Sequence, residues 1–86
     1  MAEKLTKARR DTLAALATRK DGATAYDIAE IMFGERYGII AARARGRLYL
    51  LKRDGLAVND RLSGLWFITP AGLQALTESK EAGTND

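Results

Sequence analysis

The segment from Ile39 to Asp54 separates apolar from basic side chains at helical spacing. Its apolar residues recur three and four positions apart, which places them on one face of a helix. They are Ile40, Ala41, Ala44, Leu48 and Leu51. The opposite face carries Ala42, Arg43, Arg45, Gly46, Tyr49 and Arg53. The pattern predicts an amphipathic helix with one face in a core and a basic face in solvent.

The charge around this helix is one-sided. The stretch from Arg36 to Arg53 contains basic residues and no acid. Its bases are Arg36, Arg43, Arg45, Arg47, Lys52 and Arg53. A solvated helix face usually mixes signs, so that opposite charges pair at helical spacing. The net charge of +3 on 86 residues therefore understates the local positive charge. Such a face favours contact with nucleic acid over a merely solubilising role.

A first helix is predicted from Leu5 or Thr6 to Arg19, where leucines and alanines share a face. Asp21-Gly22 then ends it. Arg9 falls on the apolar face, so we expect its charged end to reach solvent, or the helix to leave the core at that point.

A second helix is predicted to begin at Thr24 and to end at Gly34. Thr24 followed by Asp27 resembles a capping box, in which the hydroxyl accepts a backbone N–H and the carboxylate occupies the first turn. The inward residues are expected to be Ile28, Ile31 and Met32.

Two short strands and a last helix follow. Leu56–Asn59 is predicted as a strand with Leu56 and Val58 inward, and Leu65–Thr69 as its partner with Trp66 and Ile68 inward. Asp60–Gly64, the hairpin tip, joins them. Trp66 is interpreted as core rather than as a stacking platform, because it alternates with Ile68.

Pro70 suits the first turn of a final short helix, with Leu73 and Leu76 inward. Glu78–Asp86 is polar and is expected to be a frayed, disordered tail. The chain is thus predicted to be a single α+β domain over residues 1–77, mainly helical, in the order α-α-α-β-β-α, with a tail over 78–86.

This order of elements is that of a winged helix-turn-helix domain. Three segments resemble the MarR- and PadR-like transcriptional regulators of that fold. Gly22–Ala29 resembles the entry to their second helix, Leu48–Ala57 the end of their recognition helix with the first wing strand, and Trp66–Gly72 the end of the wing. The resemblance covers about Leu5 to Leu76.

The resemblance implies that the third helix lies in the major groove of DNA. The residues that would face base edges are Ala42, Arg43, Arg45, Gly46 and Tyr49. Arginine chemistry agrees, since a bidentate pair to guanine is worth about 1–3 kcal/mol of discrimination. Basic residues at flanking positions would contact the DNA backbone or the minor groove. They are Arg36, Arg47, Arg53 and Arg61.

Gly46 departs from an ideal helix sequence, because glycine inside a helix costs about 1 kcal/mol relative to alanine. One interpretation is that it lets the backbone approach DNA closely. The other is that it packs against another element. Tyr49 also has two interpretations, a phosphate contact or the cover of a neighbouring element.

Catalysis is not expected. The chain has neither histidine nor cysteine, which removes the commonest general base and the thiolate ligands of metals. Asp27 and Glu30 could pair as acid and base, but Asp27 already has a capping role. Gly34 and Gly38 lack the spacing of a phosphate-binding loop. We expect no cofactor, no metal and no small-molecule ligand.

The longest apolar run near the N-terminus, Leu13–Ala17, is too short to span a membrane. We therefore expect no membrane partner and a cytoplasmic location.

The function predicted from the sequence is specific binding of duplex DNA by a small transcriptional regulator. A monomer would make few contacts, so a homodimer is expected. Leu50, Leu65 and Phe67 are apolar residues outside the predicted core and are candidates for self-association. Two alternatives remain open: a winged-helix protein-interaction module, and an architectural or recombination accessory protein of a mobile element.

Overall fold

The computed structural model describes residues 5–83. In chain order its elements are α1 (Lys7–Ala17), α2 (Ala25–Phe33), α3 (Gly38–Arg53), β1 (Ala57–Asn59), β2 (Trp66–Ile68) and α4 (Pro70–Gly83). The two strands form an antiparallel hairpin. The mainly helical α+β class and the order of elements confirm the prediction.

The first two helices begin at side-chain caps. The Thr6 hydroxyl accepts the N–H of Arg9 at 3.2 Å. At α2 the capping box is complete, since the Asp27 N–H donates to the Thr24 hydroxyl and the Thr24 N–H donates to the Asp27 carboxylate, both at 3.1 Å. These bonds satisfy N–H groups that have no partner within the helix, which is why α2 begins where the sequence predicted.

The end of α3 is a glycine-terminated turn that fixes the direction of the hairpin. Gly55 has φ of +79°, a conformation that glycine adopts without a steric penalty. Its N–H donates to the Lys52 carbonyl at 3.0 Å, and the Leu56 N–H donates to the Leu51 carbonyl at 2.9 Å. This pair of bonds is the Schellman motif. The chain therefore reverses tightly, and β1 begins directly beside α3.

The hairpin is anchored to the loop between α1 and α2, which the sequence did not predict. The Ala23 N–H donates to the Trp66 carbonyl at 3.0 Å, and the Trp66 N–H donates to the Ala23 carbonyl at 2.7 Å. The ring of Phe67 covers Gly22, where a Cβ would lie 2.8 Å from it. Phe67 is thus half-buried and packs against the loop between α1 and α2.

The core lies between the four helices and the hairpin. Its largest fully or almost fully buried side chains are Leu13, Leu16, Ile28, Leu48, Leu51 and Trp66. The buried hydroxyl of Thr12 donates to the Ala8 carbonyl at 2.7 Å. Within the described residues every buried side-chain polar atom has a hydrogen-bond partner. The inward face predicted for α3 and the core position of Trp66 are confirmed.

Three residues predicted to face inward are instead largely exposed: Ile31, Val58 and Leu73. Helix α2 packs on its alanine side, which turns Ile31 away. Leu56 belongs to the turn that follows α3, so β1 begins at Ala57. Because side chains alternate along a strand, Ala57 faces the core and Val58 faces solvent.

Helix α4 packs through buried Gly72 and Leu76, four residues apart, and this rotation exposes Leu73. The helix also continues to Gly83, so the frayed tail predicted from Glu78 is wrong for residues 78–83. Residues 84–86 of that tail lie outside the described residues. Arg9 forms an ion pair with Asp54 at 2.9 Å, which joins α1 to the end of α3.

Candidate nucleic-acid interface

The candidate interface is the outward face of α3, which consists of Ala42, Arg43, Arg45, Gly46, Tyr49 and Arg53. All six are exposed. Their spacing keeps them on the side of the helix opposite the buried residues Ala41, Ala44, Leu48 and Leu51. The core contacts of those four residues determine which side of the helix faces outward.

Arg43 and Arg45 have uncompensated charges. No carboxylate among the described side chains lies within 4.0 Å of either guanidinium. Arg45 extends over the ring of Tyr26, 6.0 Å from its centroid, which is a cation–π distance. An arginine without an acidic partner keeps its full set of donors for an external anion or base edge.

Arg36 differs, because its guanidinium is already paired. It lies 3.1 Å from Asp27 and 3.0 Å from Glu30. The hydrogen bond to Glu30 raises the pKa of Arg36 above its ordinary value. These contacts link the turn before α3 to α2, so Arg36 positions the helix and has little free charge for a phosphate.

Arg47 and Arg53 also stand apart from the central pair. Arg47 is half-buried, with its guanidinium 5.0 Å from the ring centroid of Phe33. It lines a groove of about 750 Å³ between α1 and the end of α2, away from Gly46. Arg53 is exposed but lies 3.5 Å from the Asp54 carboxylate.

Gly46 is unobstructed. No atom of the described residues lies within 4 Å of the position that a Cβ would occupy, apart from the local helix. The interpretation that Gly46 packs against another element is therefore wrong. The backbone is bare at the centre of the outward face, between Arg43 and Arg45.

Tyr49 covers the neighbouring hairpin and still shows half of its surface. Its ring meets Trp66 edge-on, with centroids 5.1 Å apart and planes at 90°. Aromatic pairs favour this geometry. The Lys52 ammonium lies 5.7 Å from the Tyr49 ring centroid. The contact fixes the hairpin beside the outward face of α3.

The hairpin tip holds Arg61 in solvent, next to Leu62, which is 98% exposed. The hydroxyl and backbone N–H of Ser63 both donate to Asp60, and they lower the pKa of that carboxyl. Sequence analysis missed Leu62. The signal for it was an apolar residue inside an otherwise polar turn.

Two apolar residues that sequence analysis did not include in the site lie on the same side of α3 as Gly46. Ile39, in the first turn of α3, is 78% exposed, and Leu50 is 41% exposed. Tyr37 precedes the helix and lies 5.8 Å from Tyr26, ring centroid to ring centroid. The outward side of α3 is thus partly apolar, with aromatic residues beside its start.

The carboxylates considered for catalysis serve the fold. The backbone N–H of Thr24 is the main cause that lowers the pKa of Asp27, and Arg19 and Arg36 act in the same direction. Glu30 binds Arg36. Among the described residues no group of three or more acidic side chains is placed to hold a metal ion.

Comparisons with known proteins add no family to this geometry. No protein-family model, no curated protein and no solved structure matches the chain. Within residues 5–83, no helix has both the length and the apolar character needed to cross a membrane.

Proposed function

We propose that this chain is a small winged-helix protein that binds specific sites in duplex DNA and regulates transcription. Helix α3 enters the major groove with its outward face toward the base edges. One observation carries the proposal: Arg43 and Arg45 are exposed and unpaired by acids of the described residues, on either side of the open backbone at Gly46.

The dimensions support this arrangement. A helix with its side chains is about 10–12 Å across and fits a major groove about 12 Å wide. Side chains at Ala42 and Gly46 are small enough to let the helix axis approach the bases. Arg43 and Arg45 then reach base edges, where each can donate two hydrogen bonds to a guanine. Discrimination between sequences resides in this pair.

Other basic residues have different tasks in this proposal. Arg53 lies ten residues beyond Arg43, about 15 Å along the helix, where it meets the phosphate backbone at most. Arg47 faces the groove between α1 and α2 and is left without a DNA contact. Arg36 holds α2 against the start of α3.

A homodimer in the cytoplasm completes the proposal. One helix makes few base contacts, and two copies double them across a symmetric site. Leu50 keeps an exposed apolar surface for self-association, whereas Phe67 already covers Gly22. The absence of cysteine suits a reducing compartment.

A protein-interaction module is the second candidate, and the exposed side chains of Ile39 and Leu50 favour it. In that case these apolar residues of α3 would meet a protein, and the arginines would be incidental. The two candidates differ in their response to salt, because phosphate contacts release counterions and an apolar contact does not.

The experiment is a mobility-shift titration of duplex DNA at increasing salt, followed by selection of bound sequences from random DNA. We expect a shift at low salt, a steep loss of affinity as salt rises, and an enriched sequence. Absence of any shift at about 50 mM salt, where such contacts should be strong, would reject DNA binding and favour the protein-interaction module.

A further inference from the structure

The hairpin tip presents a basic and an apolar side chain together. Leu62 is 98% exposed, the highest value among the large apolar residues that the structure describes. Arg61 precedes it and is also exposed. Neither side chain has a hydrogen bond or ion pair within the described residues. Single exposed leucines are common on proteins, so the significance of Leu62 depends on how the tip is built and where it lies.

The tip is a turn closed by several hydrogen bonds. The Gly64 N–H donates to the Asp60 carbonyl, and the Asp60 N–H donates to the Leu65 carbonyl, both at 2.8 Å. The Asn59 amide donates to the carbonyls of Gly64 and Leu65 at 3.2 and 3.3 Å. Ser63 closes the turn through Asp60. A surface that is ordered beforehand loses little entropy when it binds.

The tip also has a fixed position beside the outward face of α3. Tyr49 packs on Trp66, which pairs with Asn59 at the last rung of the hairpin. Leu62 lies three residues beyond that rung, which is at most about 10 Å of extended chain. When α3 lies in the major groove, the tip therefore stands over the adjacent backbone and the minor groove beyond it.

We infer that Leu62, at the hairpin tip, wedges between base pairs from the flanking minor groove and bends the DNA. This inference rests on the proposed function and adds to it. Arg61 would enter the groove alongside, where basic side chains contact the base edges. Insertion of an apolar side chain unstacks a base step and kinks the duplex. The preferred site is then an α3 contact flanked by a flexible pyrimidine–purine step.

The test is the end-to-end distance of a short, doubly labelled duplex, measured by fluorescence energy transfer with and without the full chain. The duplexes are a sequence selected by binding, and the same sequence with a stiff A-tract in place of the flanking step. The variants are Leu62→Ala, Leu62→Met and the control Leu73→Ala, which truncates a leucine that is 49% exposed on α4. Thermal melts verify that each variant is folded.

We expect the wild-type chain to bend the selected duplex by about 20–90°, the range of apolar wedges. Leu62→Ala should still bind with a similar salt dependence but leave the DNA almost straight. Leu62→Met should retain most of the bend, and Leu73→Ala all of it. The A-tract duplex should bend less than the selected one.

Two results would reject insertion of Leu62 while leaving the proposed function intact. They are binding by the wild-type chain without bending, and an unchanged bend with Leu62→Ala. If Leu62→Ala abolishes self-association in sedimentation and leaves the bend unaltered, Leu62 contacts protein and the inference is wrong. If the wild-type chain does not bind duplex DNA at all, the proposed function fails, and the wedge fails with it.

Discussion

Replacing Gly46 by alanine should stabilise the fold and weaken DNA binding at once. The position is in the interior of α3, where glycine costs about 0.8–1.0 kcal/mol relative to alanine. A methyl group there would meet no atom of the described residues within 4 Å outside the local helix, so the full gain should be realised. For a domain of this size about 1 kcal/mol raises Tm by about 4–8 °C.

The same methyl group should interfere with DNA. If the backbone at Gly46 touches the base edges, the added carbon moves α3 outward and lengthens the contacts of Arg43 and Arg45. Loss of one bidentate contact is worth about 1–3 kcal/mol, which is about a 5- to 150-fold loss of affinity. The assays are a thermal melt and a binding titration on a selected duplex at one salt concentration.

Gly72→Ala is the matched control for this experiment. A Cβ at Gly72 would overlap the carbonyl oxygen of Leu56 and lie 2.8 Å from Ile68 Cγ1. The same substitution should therefore destabilise, by about 1–3 kcal/mol or more. A Gly46→Ala variant that melts higher and binds the selected duplex as tightly as wild type would refute the close approach at Gly46. A variant that melts lower would refute the exposed position assigned to that residue.

The remaining predictions concern the core and the response to acid. Leu51→Ala removes a fully buried side chain and should cost about 2–5 kcal/mol in a thermal or urea melt, whereas Leu50→Ala next to it should stay within about 0.5 kcal/mol. Equal effects would mean that the face of α3 is misassigned. Because the pKa of Asp27 is lowered in the fold, its ionised form stabilises the protein above the ordinary value of 3.8, and this contribution is lost as pH falls below it. Asp27→Asn should therefore flatten the decline of Tm below about pH 4, and an unchanged acid profile would contradict the assignment.

Features fixed by neighbouring residues could be predicted from the sequence. The capping box at Thr24 and Asp27 needs only residues three apart, and the turn at Gly55 needs only a glycine after an apolar helix. The inward face of α3 followed from its periodicity. Each of these features depends on bonds within one turn of chain, so the sequence contains the whole interaction.

Features that depend on contacts between elements could not be predicted. Leu73 is exposed because α4 packs against Leu56 and Ile68 through Gly72. The bridge of Ala23 to Trp66 likewise joins segments far apart in the chain. In such cases, whether a side chain faces the core or solvent depends on which other element packs against its own.

At the candidate site, the distribution of charge in the structure differs from the one that the sequence indicated. The stretch from Arg36 to Arg53 is free of acid along the sequence, yet α2 brings Asp27 and Glu30 to Arg36 in space. The sequence pattern thus overstated the basic surface. It is the fold that singles out Arg43 and Arg45 as the pair without acidic partners among the described residues.

The most direct test compares Arg43→Ala and Arg45→Ala with Arg53→Ala, on a selected duplex and on a scrambled one at a single salt concentration. If the outward face of α3 contacts base edges, the first two variants should lose about 1–3 kcal/mol on the selected duplex and much less on the scrambled one. Arg53→Ala should weaken both equally. Equal losses on both duplexes for Arg43→Ala and Arg45→Ala would contradict base contact by α3, and unchanged binding by the folded variants would contradict the DNA interface itself.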